Sequence, residues 1–118
     1  MELEDVTAAP VCCAPLSESD LGEVEAAELA AVFKALADPI RLRLLNMIAS
    51  AADGEACVCD LTVPFKLTNP TISHHLKVLR QAGLIDGERR GTWVYYRVIP
   101  ERLVRLSGLF ALPAFTTA

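Results

Sequence analysis

From Val24 to Leu36 apolar side chains return every three or four positions in EVEAAELAAVFKALA, and this spacing predicts a first helix over Glu23 to Ala37. Asp20, with Glu23 three residues on, reads as its capping box. DPIRLRLLNMIAS repeats the pattern: Asp38 suits an N-cap and Pro39 a first helical position, while Ile40, Leu44, Leu45, Met47 and Ile48 form a stripe for a core. The polar stretch ADGEA ends that helix. A short helix is expected from about Asp60 to Phe65, then a tight link. NPTISHHLKVLRQAG predicts a further helix with Asn69 as cap, Pro70 as first residue and Gly83 as its stop. LIDGERRGTWVYYRVI places β-formers on both sides of a polar, glycine-containing stretch, which predicts a hairpin with its tip near Arg89, Arg90 and Gly91. PERLVRLSGLFAL then returns to helical spacing.

The order helix, helix, helix-turn-helix, hairpin, helix is that of a winged helix-turn-helix, a mostly α fold of the α+β class with the hairpin as wing. At 118 residues the chain fits one domain, and no internal repeat or low-complexity segment interrupts it. Residues 1–18 lack a convincing element and are expected to be a flexible acidic arm carrying the Cys12–Cys13 pair, with the domain over 19–118.

Charge adds a polarity that the pattern hides. The net charge is −4, yet residues 1–32 hold eight acids and no Lys or Arg, while the remainder holds eleven bases against seven acids. The basic part suits a polyanion; the acidic leader reads as a solvated tail. No run reaches the roughly 18 apolar residues that cross a bilayer, and the N-terminus is acidic, so no membrane contact and a cytoplasmic location are expected. Thiols in that compartment stay mostly reduced, which turns four cysteines toward ion binding, redox sensing or plain burial rather than structural disulfides.

Within the helix opening at Asn69, Thr71, Ser73, His74 and Lys77, joined by His75 and Arg80, offer the hydroxyl, imidazole and cationic donors that read a major groove. Ile72, Leu76 and Leu79 recur on the opposite face as core anchors. Arg89 and Arg90 at the hairpin tip suit phosphate or minor groove. The histidines have no partner at a catalytic spacing and there is no phosphate loop, so an enzyme is not expected.

FKALADPIRLRLLNMI, ACVCDL, PTISHHLKVLRQAGLI and RRGTWVYYRV, over about Val32 to Val98, resemble the ArsR/SmtB family of metal-responsive bacterial repressors. The resemblance implies a homodimer joined through its first and last helices, a double-stranded operator read by the helix from Asn69, and release by an inducer. Leu103, Leu106, Leu109, Phe110 and Leu112 independently offer more apolar surface than a lone terminal helix readily hides.

In cadmium-, lead- and arsenic-sensing members of that family a Cys-Val-Cys motif supplies thiolates, and Cys57 and Cys59 match it. Many arsenic sensors carry a third cysteine after CVCDL, where this chain has Thr62. The resemblance then points to Cys12 and Cys13, on an arm that folds back as it does in cadmium and lead sensors. A helix N-terminus near Cys57 and Cys59 would favour thiolate over thiol. Arsenite, As(III), or Sb(III), taking three thiolates, is the expected inducer, with Cd(II) or Pb(II) as alternative. The family's other common site, built from His and acids on the last helix, is missing because residues 100–118 hold no His or Asp and only Glu101. A different reading is a thiol redox switch in which Cys12 or Cys13 forms a disulfide with Cys57 or Cys59.

Overall fold

The structure, a computed structural model, describes residues 15–18 and 20–111. The described residues divide into two compact units: residues 29–99, and a second drawn from the described parts of segments 1–28 and 100–118. The Cys12–Cys13 pair and Leu112 lie outside the described residues, as does most of the expected arm; Leu16–Glu18 form one turn of 3-10 helix.

Helix α1 covers Glu23–Leu36, one residue short of the expected end. Its start is held by Glu25 rather than by a box of Asp20 and Glu23: the Gly22 N–H donates to Glu25 Oε1 at 3.0 Å, the return half of a capping box, since glycine has no side chain for the other half, and the Gly22 carbonyl accepts the first helical bond from Ala26 at 2.9 Å. The pair had to sit two residues later because the helix starts there. In the second unit, α5 runs over Pro100–Leu109. It buries Leu109, half-buries Leu103 and Leu106 and exposes Val104, and Phe110, just past its end, is exposed too.

The larger unit is built on α2 (Pro39–Ala49), whose first turn is fixed by chemistry visible in the sequence. Asp38 is extended, and its carboxylate accepts from the Ile40 and Arg41 N–H groups at 2.8 and 3.2 Å, while Pro39 needs no donor partner there. Leu44 and Ile48, four residues apart, are fully buried and turn α2 toward α4 (Asn69–Gln81). Helix α4 answers with Ile72, Leu76 and Leu79, all fully buried. Each such side chain contributes roughly 1.5–3 kcal/mol of hydrophobic stabilisation. Leu61, Leu84 and Ile85 complete the fully buried set.

Three local details depart from expectation. The short helix α3 occupies Val58–Leu61 rather than Asp60–Phe65, and a two-residue strand β1 (Ala56–Cys57), not anticipated at all, precedes it. Cys57 is the N-cap: its sulfur accepts from the Cys59 N–H at 3.2 Å. Helix α4 is capped by Thr68, not Asn69, because Thr68 holds the extended backbone a cap requires and its hydroxyl accepts from the Thr71 N–H at 3.3 Å.

Strands β2 (Ile85–Arg90) and β3 (Trp93–Val98) form the wing hairpin, closed by Gly91 in the left-handed region at φ 67°. The sheet order is β1-β3-β2, all antiparallel, with Cys57 opposite Tyr95 and Ala56 opposite Tyr96. The segment entering the cysteine pair is therefore hydrogen-bonded directly to the wing. Helix α2 packs on β3, α3 on β1 and β3, and α4 on β2.

Candidate nucleic-acid interface and thiol pair

Burying Ile72, Leu76 and Leu79 dictates what α4 shows on its other side. Thr71, Ser73, His74, Lys77 and Arg80 are all exposed, and Ser73, Lys77 and Arg80 follow one another at the spacing of a single stripe. Thr71 is held close to the cap, its hydroxyl 2.8 Å from that of Thr68. Of the side chains expected to meet DNA on this helix, His75 differs: it is half-buried, and Arg41 Nη1 donates to its Nδ1 at 3.1 Å.

Arg41 was not singled out by the sequence, yet it joins three elements. Its Nε donates to the Ala35 carbonyl at 2.6 Å and Nη2 to the Lys34 carbonyl at 3.4 Å, at the end of α1, while Nη1 lies 4.0 Å from the Asp38 carboxylate. Through His75 the same guanidinium touches α4. The Arg41 backbone N–H, with that of Ile40, holds the Asp38 carboxyl below the usual carboxylate range.

On the wing, Arg89 and Arg90 diverge. Both are exposed at the end of β2. Arg90 forms a two-pronged pair with Glu55, at 2.6 and 2.9 Å, reaches Glu88 at 2.8 Å, and stacks over the Tyr95 ring at 4.7 Å. The Arg90 hydrogen bonds hold the Glu55 carboxyl below its ordinary range, and Glu55 with Glu88 pushes the Arg90 guanidinium still higher. Arg90 thus works inside the protein in this structure. Of its two acidic partners Glu88 is local, while Glu55 lies 35 residues away and nothing local in the sequence signals it.

The sulfurs of Cys57 and Cys59 are paired as a disulfide, with Cα atoms 5.1 Å apart. The redox reading expected either cysteine to pair with the N-terminal cysteines; the structure pairs them with each other. Cys57 is buried and Cys59 half-buried. Because α3 is a single turn, few peptide dipoles add up at its start, and the backbone donor that faces sulfur is the Cys59 N–H alone. Among the described residues no group of three or more His, Cys, Asp or Glu side chains gathers to hold an ion. Joined as a disulfide the two sulfurs offer no thiolate; reduced, they are two soft donors side by side, right for a soft ion in chemistry and too few in number, so a trivalent or tetrahedral ion needs donors from elsewhere.

Cys59 also lines an open cleft of about 360 Å³ with Val58, Thr62, Asn69, Ser73 and Trp93. One wall thus carries a candidate ion ligand, another the front of α4, and a third the tip of the wing, where Trp93 pairs with Arg90. Trp93, half-exposed and the chain's single tryptophan, was missed by the sequence reading; a large aromatic next to a polar hairpin tip was the available signal.

The comparisons bear on this arrangement. Residues 38–86, from the Asp38 cap through α4 into β2, match the family model described as bacterial regulatory protein, arsR family. The chain is 51% identical over 70 residues to the arsenic resistance transcriptional regulator ArsR1 of Pseudomonas putida, an alignment covering 59% of this chain and 53% of that protein. This chain therefore spans about half the length of that relative. It is 32% identical over 90 residues to a cadmium resistance transcriptional regulatory protein CadC homolog of Staphylococcus aureus, covering 76% of this chain and 73% of that one. A homodimeric winged helix-turn-helix DNA-binding domain from Mycobacterium bovis, described as a possible ArsR-family transcriptional regulator, superposes with a TM-score of 0.62 at 34% identity, covering 75% of this chain and 80% of that structure. With the family's description matching the segment that carries the turn motif, and relatives alike over most of their own length, the chain belongs to the ArsR family of bacterial regulatory proteins.

Proposed function

We propose that the chain is a transcriptional repressor that binds double-stranded operator DNA as a homodimer and is released when arsenite or antimonite is captured by cysteine thiolates. Ser73, His74, Lys77 and Arg80, with Thr71 at the helix front, read the major groove, and Arg89 reaches phosphate from the wing. His75 and Arg90 position α4 and the wing through the partners they already hold. The exposed apolar side chains Val24 on α1 and Val104 on α5 supply surface for the dimer contact.

The observation that carries the reading is the placement of Cys59. It shares one cleft with Ser73, Asn69 and Trp93, so an ion held there, once a dithiol reductant has opened the Cys57–Cys59 disulfide to two thiols, lies beside the groove-reading helix. Cys57 and Cys59 provide two sulfurs, and Cys12 and Cys13, the chain's other cysteines, provide the rest. Trivalent arsenic supplies a centre that takes three thiolates, whereas cadmium accepts four; the arsenic-resistance and cadmium-resistance relatives stand on the two sides of that choice. The Cys57–Cys59 pairing favours one second reading, release by oxidation without an ion. A gel shift on a duplex selected by the protein from random DNA, with arsenite, antimonite, cadmium, lead and zinc in turn in reducing buffer and with peroxide after the reductant has been removed, separates these. Release by arsenite or antimonite at the lowest concentration is expected; release by peroxide alone replaces the ion with oxidation.

A further inference from the structure

The contact between Arg90 and Glu55 does work that neither DNA binding nor ion binding accounts for. Glu55 is two residues before Cys57 and immediately precedes β1, while Arg90 ends β2, the outer strand of the wing. Between them stands β3: Cys57 pairs in register with Tyr95, Glu88 pairs with Tyr95 from the other side, and the Arg90 guanidinium lies on the Tyr95 ring. A planar guanidinium with two prongs on one carboxylate resists rotation in a way a single ion pair does not.

We infer that Glu55 and Arg90 form a positioning clamp that ties the chain entering the Cys57–Cys59 pair to the wing, so that a change of state at the two sulfurs is transmitted to the hairpin. The deduction rests on the proposed function only for its consequence, the release of DNA; the mechanical link is a property of the fold. The cysteine pair can itself be switched without any inducer. A dithiol reductant opens the Cys57–Cys59 disulfide, the reductant becoming the disulfide and the protein gaining two S–H groups, with two electrons and two protons passing from one to the other. That gives a perturbation at one end of the clamp and a readout at the other. Arg90 is exposed and Glu55 half-buried, and neither belongs to the buried core, so replacing them leaves that core in place.

The test compares amide hydrogen exchange over residues 85–98 in the oxidised and reduced full-length protein, in wild type and in Glu55→Gln, with Cys12 and Cys13 replaced by Ser in both to confine the chemistry to one pair. The expected result is a severalfold difference in exchange between the two redox states of wild type that falls away in Glu55→Gln and is partly kept in Arg90→Lys, which retains a charge but not two prongs. An undiminished difference in Glu55→Gln, or none in wild type, overturns the clamp. Operator release by arsenite, measured separately on wild type, reports on the proposed function: its failure would leave the exchange result standing, and an absent clamp would leave the release standing.

Discussion

Asp38 concentrates several local forces in one side chain. It caps α2, accepts two backbone N–H groups and lies near Arg41, the residue that reaches both the end of α1 and His75. Asp38→Ala is expected to cost about 1 kcal/mol, the usual value of such a cap. The sign of its pH dependence follows from the lowered carboxyl pKa: the contribution is present above the ordinary value of 3.8 and is lost as pH falls through the depressed folded value. Urea unfolding of wild type and variant should therefore differ at pH 7 and converge in strong acid; a constant gap would remove the charged cap. Arg89→Ala is expected to weaken binding to many DNA sequences alike and lower the slope of log affinity against log salt by about 1, whereas His74→Ala relaxes sequence preference. Binding measured across a salt series on several duplexes distinguishes the two. Asp38 with Pro39 was legible from the sequence because capping is local. The roles of Arg41 and Arg90 were not, because their partners are brought near only by the fold.

Elements set by long apolar periodicity came through with their expected type and nearly their expected ends: α1, α2, α4, the hairpin and α5. What escaped were pieces too short to carry a period. β1 is two residues long and exists only because β3 offers it an edge, and α3 starts at Val58 because the Cys57 sulfur caps it, a role rarely assigned to cysteine. At α4, Thr68 and Asn69 are both capping types, and only backbone conformation chose between them. The hairpin makes its own prediction. A Cβ at Gly87 would stand 2.9 Å from the Tyr96 ring, on the strand that also pairs with β1. Gly87→Ala is expected to cost roughly 1–3 kcal/mol through that crowding, and a thermal shift of the variant checks it; an unchanged melting temperature would mean the ring moves aside freely.

For the molecule as a whole, the candidate ion site was legible as a motif but incomplete as a geometry. The Cys57–Cys59 spacing announced sulfur chemistry; the cleft that sets Cys59 beside Ser73 and Trp93 appears only after α3, α4 and the wing have packed together. Trp93 turns that packing into a signal, since a tryptophan half-exposed in the same cleft should change its fluorescence when an ion occupies the thiols. The most direct test of thiol-controlled release is fluorescence anisotropy of a labelled operator duplex, with arsenite titrated under reducing conditions into complexes of wild type, of the Cys57→Ser/Cys59→Ser variant and of the Cys12→Ser/Cys13→Ser variant. All three should bind the duplex, and wild type alone should let it go, with an affinity loss of about tenfold or more, within the usual range of allosteric coupling. Full release of the Cys57→Ser/Cys59→Ser variant by arsenite would contradict the account, and full release of the Cys12→Ser/Cys13→Ser variant would remove the N-terminal cysteines from the site.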